Sequence, residues 1–188
     1  LAGSGGFTNS GLLLQGGGNL VLSNTGPNRN TGNWDLATGW QLQLAGATLS
    51  NQGSLQLNSA TLSGTGTLAN AAGGTVLGRG SITANFSNAG ALVVDAGTTR
   101  VSQAFNNSGQ IQLSSNAATL VGGVLSNSGQ IEGRGRVGND VHNTGVLQAL
   151  GGTLTFAGAL THTGNGVIAA GSGAKVLVLA GLARNEAQ

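Results

Sequence analysis

Seven side chains in this sequence have the chemistry of general acids, bases or metal ligands: Asp35, Asp95, Glu132, Asp140, Glu186, His142 and His162. Cutting a polysaccharide would require several carboxylates, or a Lys or Arg base, gathered on one groove. The spacing does not gather them. Asp95 and Asp140 fall at different offsets in different segments, and the counterparts of Glu132 elsewhere are Gln56, Gln112 and Gln148, which reads as a solvated polar row. His142 and His162 could stack about 5 Å apart if their segments were neighbours, with Asp140 close by. Their counterparts are Ser50, Ser87, Asn106 and Ser126, so both are expected as exposed histidines holding no metal. The sequence thus argues against an enzyme and against any metal or cofactor.

Glycine-rich strings give no nucleotide site either. Gly133-Arg134-Gly135-Arg136-Val137-Gly138 fits the dinucleotide fingerprint as a string, but no helix follows and a matching segment has Thr83 at the last glycine. Gly171-Ser172-Gly173-Ala174-Lys175 is too short for a phosphate loop. The two tryptophans, Trp34 and Trp40, could stack on sugar rings, which makes them candidate glycan contacts. Arg79 and Arg134 occupy equivalent places and are expected as surface charges, too far apart to touch.

The elements that would hold these residues follow from a repeat. A block of about 55 residues, made of three unequal turns, occurs twice in the same order. Asn51-Gln52-Gly53-Ser54-Leu55-Gln56-Leu57 returns as Asn107-Ser108-Gly109-Gln110-Ile111-Gln112-Leu113. Gly74-Thr75-Val76-Leu77-Gly78-Arg79-Gly80 returns as Gly129-Gln130-Ile131-Glu132-Gly133-Arg134-Gly135. The third turn pairs Asn88-Ala89-Gly90-Ala91-Leu92 and Gly97-Thr98 with Asn143-Thr144-Gly145-Val146-Leu147 and Gly152-Thr153. Counted from the Asn or Ala before each turn glycine, the segments begin at 51, 72, 88, 107, 127 and 143. Apolar residues alternate within them, as in Leu55 and Leu57, the period of a strand with one buried face.

With 36 glycines in 188 residues, helices of useful length are excluded. The expected fold is therefore all-β: a right-handed parallel β-helix, or β-solenoid, of about nine or ten coils with 16–21 residues each. The whole of 1–188 is expected as one such domain, interrupted by an irregular insertion at about 24–40 that holds the only proline and leads into both tryptophans. Asn51, Asn88, Asn107, Asn127 and Asn143 are expected to form a corner ladder, since Asn and Gly tolerate left-handed backbone and Asn can bond its counterpart one coil away.

Only 6% of residues are charged, and the seven Lys and Arg are spread thinly, so no nucleic-acid patch is expected. The longest apolar run, Val176-Leu177-Val178-Leu179-Ala180, is too short for membrane insertion as a helix. A chain that begins at Leu1, without a signal segment, reads as a mature product or an excised piece, a fragment or repeat unit of a larger exoprotein or fibre.

The stretch Asn127-Ser128-Gly129-Gln130-Ile131-Glu132-Gly133-Arg134-Gly135 through Val137, Asn139-Asp140-Val141-His142-Asn143 and Gly151-Gly152-Thr153-Leu154-Thr155-Phe156 resembles the repeats of large secreted bacterial β-helix proteins, of the filamentous-haemagglutinin and autotransporter-passenger kind. The resemblance covers roughly residues 45–182. It implies export to the cell surface or beyond, and roles in adhesion, aggregation or biofilm matrix. The expected function is a non-enzymatic, extracellular structural or adhesive module, with a homopolymeric filament and a carbohydrate-binding module as alternatives. Expected partners are other copies, end to end or side by side, and host or matrix glycans.

Overall fold

The computed structural model describes residues 1–187, with side chains described through residue 182. Glu186, one of the acid candidates, thus has its side chain outside the described set. The described chain is all-β, without a helix, and winds as a β-solenoid of about nine turns. Each coil contributes to three stacked faces, all paired in parallel. The first face runs from Phe7–Asn9 through Asn28–Asn30, Thr48–Asn51, Thr67–Asn70, Asn85–Asn88 and onward to Leu182–Ala187. A second face takes strands such as Asn33–Leu36, Ser54–Gln56, Thr75–Leu77 and Ala91–Val94. The third takes Leu20–Leu22, Gln41–Leu44, Thr61–Ser63, Gly80–Ile82 and Gly97–Val101. In Gln110–Gly122, Gln130–Val137 and Val146–Phe156 one continuous strand rounds the corner and serves both faces.

Alternation decides what points inward. On the second face Trp34, Leu55, Val76, Leu92, Ile111, Ile131 and Leu147 lie in register and are all fully buried. Leu49, Leu68 and Phe86 lie in register in the same way on the first face, all buried. Each side chain therefore rests on its counterpart in the coil before and caps it from the coil after. Burial is repeated per coil rather than gathered at one centre, as in other repeat architectures.

The turn glycines have a different role from the one expected. Gly32, Gly53, Gly90, Gly109, Gly129 and Gly145 are not in left-handed conformation, and neither are the ladder asparagines. A Cβ on any of these glycines would fall well inside 3.0 Å of backbone in the coil before, for Gly129 the Gly109 carbonyl oxygen. Glycine is needed there because backbone stacks directly on backbone. Among the described residues, the non-glycine ones with positive φ are Asn58 and Ser59, at a corner between the second and third faces.

Residues 24–40 are not an irregular insertion. Asn28–Asn30 pairs with Phe7–Asn9 and with Thr48–Asn51, and Asn33–Leu36 pairs with Leu12–Gln15 and Ser54–Gln56. The segment hid its regularity because Asn28 occupies the inward position that Leu49 holds in the next coil. Asn24 donates to Asn28 Oδ1 at 2.7 Å, so amides replace an apolar contact there. Pro27 fits at the strand entrance, where its carbonyl accepts from Phe7 N.

Candidate functional site

The longest polar construction in the molecule is inside it. Asn9 Nδ2 donates to Asn30 Oδ1 (2.8 Å), Asn30 to Asn51 (2.7 Å), Asn51 to Asn70 (2.8 Å), and Asn70 to Asn88 (2.6 Å). Asn88 donates to Asn107, Asn107 to Asn127 and Asn127 to Asn143, each at 2.6 Å. Asn143 Nδ2 then meets His162 Nδ1 at 2.8 Å. Successive rungs are 16–21 residues apart, the coil length read from the sequence. From Asn9 through Asn107 the amide also crosses to the second face of the next coil, as from Asn88 to the Gln110 carbonyl at 2.9 Å, whereas Asn127 and Asn143 bond the Gly129 and Gly145 carbonyls of their own coils.

The expected ladder of Asn51, Asn88, Asn107, Asn127 and Asn143 is therefore present, buried and directly hydrogen-bonded. It also includes Asn9, Asn30, Asn70 and His162. Asn70, not Ala72, begins its coil; three residues rather than one separate it from Gly74, so an Asn-x-Gly search passes over it. His162 corrects another expectation. It is 3% exposed and lies in register with Asn143, whereas His142 is exposed and faces Ser126 and Thr161. The two imidazoles point to opposite sides of their strands and form no pair.

Trp34 is fully buried, its ring 5.3 Å from Phe7 in a tilted contact, so it cannot stack on a sugar. Trp40, 36% exposed, precedes the strand Gln41–Leu44 on the third face. The tryptophans therefore form no common platform.

Among the acids, Glu132 is held by amides: Gln110 Nε2 reaches Oε1 at 2.7 Å and Gln130 Nε2 reaches Oε2 at 2.6 Å. Gln112, Glu132 and Gln148 do stack in register as an outward row. Asp140 accepts from Ala159 N at 2.8 Å across the coil boundary. Among the described residues no three His, Cys, Asp or Glu come together in a way that could hold a metal ion.

The third face carries what sequence reading passed over. Arg79, Arg100, Arg136 and Lys175 are exposed there or at its leading corner, with Arg134 half-buried at the same corner. Arg79 donates from Nε to Ser59 Oγ at 2.9 Å, and its stem lies over Gly97 of the next coil. Arg134 repeats the arrangement over Gly152 and reaches the Gly151 carbonyl at 3.4 Å. Both glycines are left-handed, with φ of 114° and 159°. The equivalence of Arg79 with Arg134, and of Gly97 with Gly152, was the signal available in the repeat.

No protein-family model, curated protein or solved structure matches the chain.

Proposed function

We propose that this chain is a rod-forming, non-enzymatic module of an extracellular surface or matrix protein. The observation that carries the reading is the amide ladder, which runs without a break from Asn9 to His162 and ties nine successive coils together. Parallel stacking at about 4.8 Å per coil gives a rod roughly 43 Å long over nine steps. Such a body transmits force and spaces binding surfaces along one axis. The extracellular setting is supported by the resemblance of residues 45–182 to secreted β-helix repeats.

In the last coil, Ile168 and Leu182 lie in register with the buried Leu147 and Leu160 yet are 38% and 41% exposed. Further coils, or a second copy, would bury them, so axial growth into a filament belongs to the same reading. Negative-stain electron microscopy across a concentration series is the test. Straight rods, or filaments built from them, are expected. Compact round particles would overturn the proposal.

A further inference from the structure

We propose that the third face is a docking track for a linear, carboxylate-bearing polysaccharide. Of the seven Lys and Arg, five stand on or beside this face: Arg79, Arg100, Arg134, Arg136 and Lys175. Carboxylates lie elsewhere: Asp35 and Glu132 point out from the second face, and Asp140 accepts a backbone bond at the approach to the first. Asp95, at the corner near Arg79, is the exception among the described residues.

The cations are regularly placed. Arg79 and Arg100 sit in successive coils, while Arg100, Arg136 and Lys175 follow at steps of two coils, about 10 Å along the axis, each one outward row to the side of the last, so that they run diagonally across the face. A polyuronate presents one carboxylate every one or two sugars along a straight chain, and guanidinium binds carboxylate through paired donors.

Hydroxyls fill the steps between the charges. Thr98, Thr119, Arg136 and Thr155 lie in one outward row, and Thr61, Ser81 and Arg100 in another. These donate to and accept from ring hydroxyls. Shallow depressions flank the cations, one lined by Ser59, Thr61, Ser81 and Thr98 with Arg79 and Arg100, another by Asn116, Thr153 and Thr155 with Arg136. At the N-terminal end of the track stands Trp40, a half-exposed ring able to stack on a sugar face.

Nucleic acid fits less well. A single-strand site uses aromatic rings in succession for successive bases, and this face has one.

The proposal deepens the rod reading by naming a ligand, and the two fail separately: compact particles would sink the rod while leaving binding measurable. The experiment titrates the whole chain with alginate, dextran and single-stranded DNA in low salt and again in 0.5 M salt. Alginate is expected to bind, to weaken with salt, and to shift the emission of Trp40, with dextran inert. R100Q/R136Q is expected to weaken alginate binding at least tenfold, and R29Q, whose Arg29 faces out from the first face, to leave it unchanged. All these side chains are exposed, so the variants keep the fold. Failure of alginate to bind in low salt would overturn the proposal. So would equal losses in R29Q and R100Q/R136Q, or DNA bound as tightly as alginate.

Discussion

Removing the Asn107 side chain would leave one hydrogen of Asn88 Nδ2 without its acceptor, the other staying on the Gln110 carbonyl, and would take the donor from Asn127 Oδ1, all in the buried interior. Buried polar atoms left without partners cost about 1–3 kcal/mol each. N107A should therefore lower the unfolding free energy by about 3 kcal/mol, read as a fall in the denaturant midpoint at unchanged slope. His162 behaves differently: H162N restores the amide used at the other rungs and should cost about 1 kcal/mol or less. A loss in H162N as large as in N107A would mean that the imidazole, not the rung, matters. The tryptophans separate in the same way. W34A leaves a cavity in the first coils and should cost about 4 kcal/mol, whereas W40A should stay within about 0.5 kcal/mol of the parent. Acrylamide should quench the Trp40 emission and leave that of Trp34 nearly untouched.

Strand and turn obey one constraint, the approach of backbone to backbone at the glycine stack. G129A would push a methyl group into the Gly109 carbonyl, and overpacking of that kind costs about 3 kcal/mol. G11A is the control, because nothing lies within 4 Å of a Cβ there. Equal midpoints for the two variants would refute this account of the turn. The sequence made much of this legible: coil length, strand alternation and five ladder rungs all followed from the spacing of Asn, Gly and Leu. What stayed hidden had physical causes. Asn28 stands where the next coil has Leu49, so a regular coil read as an insertion. Asn70 sits ahead of a longer turn, and His162 takes a rung that no asparagine pattern could find. Trp34 read as a ligand contact because composition alone does not tell an inward from an outward strand position. The third face escaped notice for a related reason: its cations are distant in sequence and converge only once the coils are in register.

A stack in which each coil touches only its neighbours has stability that varies along its length. Hydrogen exchange should be slowest between Asn51 and Asn143, where inward side chains are covered on both sides, and faster in the first and last coils, where Leu13, Leu20, Val176 and Val178 are only partly buried. Uniform protection from end to end would contradict that picture. The amide ladder adds something that backbone pairing does not. Parallel strands send hydrogen bonds both ways between coils, as when Phe7 N donates forward to the Pro27 carbonyl and Thr31 N donates back to that of Asn9. The side-chain amides of the ladder all donate the same way, from Asn9 toward His162. The molecule is consequently an arrow. A coil joined ahead of Asn9 in the same register would have to offer a hydrogen to its Oδ1, so two rods meeting nose to nose would set acceptor against acceptor. Any fibre grown along this axis would inherit one direction from end to end, with two chemically unlike tips.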